Sequence, residues 1–252
     1  MIFSRKEVLV PYTGRLKLFK TKWDYEGLMS YYLHTEPHSL YNMGHFLNFI
    51  KDSNPAGNVL SIGSDPLKES ILIKETTIDQ IDVYDIEADT VEEANKYWKE
   101  SAINVRYYCK NLLEEETDVN YDTALLFQMD YIFSDAEYSL MLKKIKQSGI
   151  SDCYVITPSL FNINLNKTTP IDIFIYDICN LVFYLIRSFK LRIKRKPGLK
   201  PDQSSLVSYK RTKTHLIKLF TAHQFTIIAQ KSYLNGNGSF NLFHFNLEKN
   251  GK

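Results

Sequence analysis

Asn58-Val59-Leu60-Ser61-Ile62-Gly63-Ser64-Asp65-Pro66 is the stretch on which the fold turns. Val59, Leu60 and Ile62 make an apolar run of strand length that stops at a glycine. Asp65 followed by Pro66 is a helix start, a capping carboxylate and then a proline at the first helical position, where no N–H is missed. The segment therefore reads strand, tight turn, helix. In an open parallel sheet, the crevice at the carboxyl ends of the strands is where ligands bind. Gly63 lets backbone approach a ligand closely. Taken alone, the same residues equally describe a tight turn with no ligand.

Downstream, short apolar runs alternate with helical patterns. A helix is predicted to about residue 77, a strand over 80–85 ending in Asp85, and a helix over 89–100 with early acids Glu92 and Glu93. Strands follow over 105–109 and 123–128. Ser134-Asp135-Ala136-Glu137 is a capping box opening a helix that closes near Gly149. A fifth strand spans 153–157, with Pro158 as its stop. This alternation calls for a parallel sheet covered on both faces. The end of the chain differs. Runs 225–232 and 240–247 flank Tyr233-Leu234-Asn235-Gly236-Asn237-Gly238-Ser239, and paired Asn-Gly steps predict an antiparallel hairpin. Residues 1–57 read as an N-terminal helical lid or preface, aromatic and partly helical. Residues 58–252 read as one α/β domain with an insertion over 159–210.

Composition narrows the class. The 252 residues are 44% hydrophobic and 24% charged, ample for a sizeable core, and a formal net charge of +2 makes no global demand for nucleic acid. Aromatics reach 13%, with 17 Tyr and 15 Phe, which suits the walls of a deep ligand pocket or reflects overall composition alone. Cys109, Cys153 and Cys179 have no C-x-x-C spacing, against both a disulfide framework and a structural zinc site. The first residues carry Arg5, Lys6 and Glu7 and no apolar run, so a cytoplasmic location is expected.

Asp85 lies 22 residues after Gly63, at a strand end. A carboxylate there can accept both hydroxyls of an adenosine ribose, each charge-assisted bond contributing roughly 1.5–3 kcal/mol. A dinucleotide site wants G-x-G-x-x-G so that the helix N-terminus takes a pyrophosphate, and that pattern is missing. An acid at Asp65 repels phosphate. A sulfonium bearing an amino-acid tail fits better than NAD.

On these residues the chain resembles the class I S-adenosylmethionine-dependent methyltransferases over 58 to about 157. Val59 to Asp65 is similar to the first motif, with Ser61 in place of the usual acid and Asp65 in place of the second glycine. Val83-Tyr84-Asp85-Ile86-Glu87 resembles the second motif, which makes Asp85 the ribose-diol ligand. Cys109-Lys110-Asn111-Leu112-Leu113 resembles the adenine segment, where the Asn111 side-chain oxygen stands in for an acid. Tyr121-Asp122-Thr123 through Gln128-Met129-Asp130-Tyr131-Ile132 resembles the fourth motif, beside the methyl-transfer pocket. The resemblance implies a Rossmann-like, seven-stranded, mostly parallel sheet with a C-terminal antiparallel hairpin, helices on both faces and a helical lid insertion. It implies S-adenosyl-L-methionine as cofactor, held by Ser61, Gly63, Ser64, Asp65, Asp85, Ile86, Asn111, Leu112 and Gln128, and methyl transfer to a small-molecule or glycan acceptor. Gly63-Ser64-Asp65-Pro66-Leu67 with Glu69-Ser70-Ile71 is also similar to the first motif of nicotianamine-synthase-type enzymes, which transfer the aminocarboxypropyl arm instead. The departures at Ser61, Asp65 and Asn111 suggest a third reading, a non-catalytic partner that keeps the fold.

Candidate bases are Asp130 and Tyr131, beyond the fourth strand, and His45, with His34 and His38, in the preface. No metal is expected, since Pro37 separates His34 from His38. In the insertion, Ile171, Phe174, Ile175, Ile178, Leu181 and Val182 share one half of a helical wheel, and Lys190, Arg192, Lys194, Arg195, Lys196 and Lys200 follow. That pattern suits a lid or dimerisation helix with a solvated basic loop, or a peripheral membrane contact through 171–200. Tyr209-Lys210-Arg211-Thr212 is loosely similar to methyltransferases of surface-glycan biosynthesis.

Overall fold

The computed structural model describes residues 7–11, 25–35, 37–53, 55, 57–63, 65–99, 104–117, 119–129, 133–158, 205–209, 211–235 and 238–248. The amphipathic stretch and basic run of the insertion lie outside the described residues. In chain order the elements are β1 (Glu7–Pro11), α1 (Tyr25–Thr35), α2 (Pro37–Ser53), β2 (Val59–Ile62), α3 (Pro66–Glu75), β3 (Ile81–Asp85), α4 (Ala88–Lys99), β4 (Val105–Cys109), β5 (Thr123–Phe127), α5 (Asp135–Gln147), β6 (Asp152–Pro158), β7 (Ser205–Tyr209), α6 (Lys213–Ala222), β8 (Phe225–Asn235) and β9 (Gly238–Leu247).

Seven strands form one sheet in the order β4-β3-β2-β5-β6-β9-β8. The first five in that order pair in parallel, and β9 runs against both β6 and β8. This is the expected α/β sheet with its antiparallel C-terminal hairpin. Strand alternation divides the core between two faces. In β5, Leu125 and Phe127 join the cluster under α2, α3 and α4, while Ala124 and Leu126 join the cluster under α5 and α6. The same split sends Tyr154 and Ile156 of β6 one way and Cys153 and Val155 the other. Each fully buried aliphatic side chain contributes roughly 1.5–3 kcal/mol, so both layers hold the sheet.

Two features depart from the sequence expectation. The hairpin strands run through most of the segment read as its loop: Tyr233 pairs with Phe240, Leu234 with Ser239 and Asn235 with Gly238, leaving residues 236–237 as the connection. Tyr233 is buried and stacks on Phe240 at 5.6 Å, so its burial extends the ladder and the Asn-Gly signal marks only the tip. The second feature is a two-stranded sheet in which β1 pairs antiparallel with β7, from Glu7 opposite Tyr209 to Pro11 opposite Ser205. On the outer edge, a bulge between Ile227 and Ala229 leaves Ile228 exposed, which irregularises a long edge strand.

The first two turns of α3 are buried on every face, while Lys74 and Glu75 at its end are exposed. Leu67, Lys68, Glu69, Ser70, Ile71 and Leu72 are each buried, because the sheet lies beneath the helix while α1 and α2 contact it from outside. Among the described residues no helix is long and apolar enough to cross a membrane.

Candidate functional site

The β2–α3 turn sits at the carboxyl edge of the sheet, beside the end of β3. Gly63 has φ +77 and donates its N–H to the Tyr84 carbonyl at 2.9 Å, tying the turn to the neighbouring strand. A Cβ at Gly63 would stand 2.6 Å from the Met129 sulfur. Left-handed backbone and close approach therefore both require glycine here.

Asp65 is the N-cap of α3, as its sequence context predicts. Its Oδ1 accepts from the Leu67 N–H at 3.2 Å and the Lys68 N–H at 3.4 Å, with Pro66 as the first helical residue. The Tyr32 hydroxyl of α1 donates to the same oxygen at 3.2 Å. Below the turn lies a buried polar network built on Lys68 and Glu69. The Lys68 ammonium donates to the Gly63 carbonyl at 2.7 Å and pairs with Glu69 at 3.3 Å. The Asp65 N–H donates to both Glu69 oxygens at 3.1 Å. Tyr107 donates its hydroxyl to Glu69 and accepts from Trp98 Nε1 at 3.1 Å. Burial pushes the Glu69 carboxyl up to about 7, Lys68 pulling against that rise and Asp65 adding to it. Ser61, at the position of the family's usual acid, is fully buried, and its hydroxyl has no hydrogen-bond partner among the described residues.

Asp85 ends β3 partly exposed. Its Oδ1 accepts the Glu87 N–H at 3.0 Å, and its carbonyl accepts from Lys110 at 3.1 Å, which holds the ends of β3 and β4 together. Ile86 is 64% exposed, an apolar side chain presented at the rim. Across from it, the Asn111 side-chain oxygen accepts from the Leu113 N–H at 3.1 Å while its amide donates to Glu114. An amide oxygen has a second lone pair for a ligand N–H. Leu112 turns into the core beneath Tyr84. On the other side, Gln128 carries φ +55, an uncommon conformation for a residue with a side chain, and its N–H continues the ladder to Ile156 at 2.8 Å.

The structure thus brings Gly63, Asp65, Asp85, Ile86, Asn111 and Gln128 to the carboxyl edge of four adjacent strands. Ser64, Asp130 and Tyr131 lie outside the described residues. His45 stands further along, where α2 meets the hairpin: it stacks on Tyr233 at 4.1 Å, with Tyr41 edge-on at 4.5 Å. Burial, then repulsion from Lys231, lowers its pKa and so favours the neutral imidazole. His34 is exposed on α1. Sequence reasoning missed a further cluster at the starts of α5 and α6, helices that both begin at this edge. Buried Arg211 bonds Asp135 at 2.9 Å and the Phe133 carbonyl at 2.6 Å, and His215 Nε2 meets the other Asp135 oxygen at 3.0 Å. Only their pairing over some 80 residues of sequence identifies them, and no local pattern carries that.

A cavity of about 350 Å³ lies at the opposite edge, between the ends of α2 and α3. Two of its lining residues, Lys51 and Glu75, pair at 3.2 Å with both side chains 41% exposed, which makes it a solvated groove. No three His, Cys, Asp or Glu side chains converge as metal ligands among the described residues.

No protein-family model and no curated protein sequence matches the chain. Solved structures do. A magnesium protoporphyrin IX methyltransferase from Synechocystis, crystallised with bound SAH, aligns with 84% of this chain and 83% of its own at 12% identity and a TM-score of 0.54. The N-methyltransferase NodS from Bradyrhizobium japonicum aligns over 85% of this chain and 99% of its own at 11% identity and TM-score 0.55. A SAM-dependent methyltransferase from Leishmania major aligns over 91% and 80% at 11% identity and TM-score 0.57. At such identities the likeness is one of fold: the chain has the fold of the S-adenosylmethionine-dependent methyltransferases.

Proposed function

We propose that this chain is an S-adenosylmethionine-dependent methyltransferase acting on a small-molecule or glycan acceptor. The observation that carries the reading is the pairing of Gly63 with Asp85 at the ends of adjacent parallel strands, joined by the Gly63 N–H bond to Tyr84. A close-approach turn beside an outward carboxylate is what a nucleoside with a non-phosphate tail requires. Similarly folded methyltransferases solved with SAH support the same ligand.

In this reading Asp85 accepts the ribose hydroxyls, Ile86 covers one face of the adenine, and the Asn111 oxygen takes the adenine amino group, with Leu112 backing that end. The turn from Ser61 to Asp65, Ser64 included, shapes the place of the amino-acid tail, and Gln128 and Met129 bound the crevice on the β5 side. When bound, the cofactor supplies a sulfonium methyl for in-line displacement. The protein's part is alignment, exclusion of water and acceptance of a proton where the acceptor must lose one. Asp130, Tyr131 and His45 are the candidates for that acceptance, and a neutral His45 has a lone pair for it.

Calorimetric titration with S-adenosylmethionine and S-adenosylhomocysteine tests the reading. Wild type is expected to bind both, and Asp85→Ala to bind at least about 100-fold more weakly through loss of two charge-assisted hydrogen bonds. Folded wild type that binds neither ligand overturns it. Release of S-adenosylhomocysteine in an acceptor screen would then identify the substrate.

A further inference from the structure

We propose that Lys68 and Glu69 are positioning residues for the cofactor turn: Lys68 holds the Gly63 carbonyl, Glu69 holds the Asp65 amide, and neither touches the ligand. The inference rests on the cofactor reading above and deepens it. A turn that binds a ligand through backbone needs its carbonyls and amides fixed beforehand, because ordering them on binding weakens affinity. This turn has a single glycine and no run of glycines to set its shape, so support has to come from below.

That support is visible. The Lys68 ammonium reaches back five residues to the Gly63 carbonyl at 2.7 Å, and both Glu69 oxygens accept the Asp65 N–H at 3.1 Å. The two side chains pair at 3.3 Å and are 2% and 0% exposed. Tyr107 of β4 bonds Glu69 from the sheet side and is itself held by Trp98 of α4. Tyr32 of α1 bonds the Asp65 carboxylate from outside. Side chains from α1, β4 and α4 thus brace the Asp65 and Glu69 carboxylates, and Lys68 and Glu69 in turn hold two backbone groups of one turn. Stability gives no account of the arrangement, since a buried ion pair is often no more stabilising than well-packed neutral side chains of similar volume. Fixing the backbone at Gly63 and Asp65 does account for it.

The decisive variant is Lys68→Met/Glu69→Gln, which removes both charges at nearly constant volume and leaves a fold that neutral packing can sustain. S-adenosylhomocysteine titration and amide hydrogen exchange are measured on it and on wild type. The dissociation constant is expected to rise about tenfold or more, as loss of a charge-assisted bond implies, with the melting temperature little changed. Exchange at the Asp65 amide is expected to quicken at least about tenfold for the same reason, while Leu126 on the far face keeps its protection. Unchanged affinity and unchanged Asp65 exchange overturn the proposal and leave the methyltransferase reading standing. If wild type binds no S-adenosylhomocysteine, that reading falls, and the exchange measurement still decides on positioning, because it needs no ligand. Should the double variant not fold, Lys68→Met alone is read by S-adenosylhomocysteine titration, since it frees the Gly63 carbonyl but leaves Glu69 on the Asp65 amide: a dissociation constant raised about tenfold supports the proposal and an unchanged one overturns it.

Discussion

At the carboxyl edge of the large sheet, Gly63 and Gln128 hold left-handed backbone, Lys68 and Glu69 are ionisable groups taken out of water, and the Ser61 hydroxyl is buried without a partner among the described residues. At the amino edge, buried charge is met differently. Asp82 is 1% exposed and receives a two-pronged bond from Arg106 at 2.9 and 3.2 Å and the Tyr121 hydroxyl at 3.0 Å. Asp152 is held by His244 at 2.7 Å, Ser151 at 2.7 Å and Asn246 at 2.9 Å. Left-handed Gln224 also lies at this edge, but it follows the cap of α6, where such a residue ends a helix in the ordinary way. One edge is built for cohesion; the other departs from local preference at the ends of two neighbouring strands, as binding sites do.

The contrast can be broken by substitution. Asp82→Ala strips Tyr121 and Arg106 of their acceptor and is expected to lose about 2–4 kcal/mol in urea unfolding while cofactor affinity stays within twofold. A drop in affinity as large as the drop in stability would erase the division between the edges. Gly63→Ala adds a left-handed alanine and a clash with Met129, at about 1–3 kcal/mol, and is expected to abolish binding. Adding Met129→Ala should return part of the stability without the binding, which titration and unfolding together would show.

Titration separates the edges by sign. Burial alone would raise the Asp152 carboxyl, but its hydrogen bonds from His244, Ser151 and Asn246 outweigh that and hold it at about 2, below its ordinary 3.8. Its stabilisation is present above pH 4 and is expected to fade by about 1–2 kcal/mol as pH drops toward 2. Glu69 sits the other way, raised from 4.5 to about 7, so the native state binds a proton that the unfolded chain releases. Its contribution is full below 4.5 and declines as pH climbs through 7. Unfolding curves across pH should show Glu69→Gln flattening the upper limb only, and His244→Phe the lower limb only. The smallest effects are expected at the two glutamines. Gln128→Gly and Gln224→Gly each relieve a positive φ and should stabilise by up to about 1 kcal/mol, but only Gln128→Gly should weaken cofactor binding.

Much of this was legible from residues 58–66. The apolar run, the glycine and the Asp-Pro cap each have a local mechanism, and all three recur in the structure as read. The capping box at Ser134 and Glu137 and the Asn-Gly hairpin were legible for the same reason. What could not be read depends on distant partners. β1 and β7 are five residues each, and nothing inside either names the other. Lys68 and Glu69 look like solvated helix positions until α1 and α2 cover the outer face of α3. The hint was present in Leu67, Ser70, Ile71, Leu72 and Ile73, which leave that helix without a clean polar face.

The β1–β7 ladder also orders events in time. Glu7 meets Tyr209 across almost the whole chain, so closing that ladder costs more chain entropy than any turn or crossover in the large sheet. Sequence-local units such as the β8–β9 hairpin are fast to form, and pairings of high sequence separation are slow. On a ribosome, β1 emerges some 200 residues before its partner. The large sheet can acquire its first five strands in that interval, and the ladder that joins the front of the chain to the segment before α6 is among the last pieces to close.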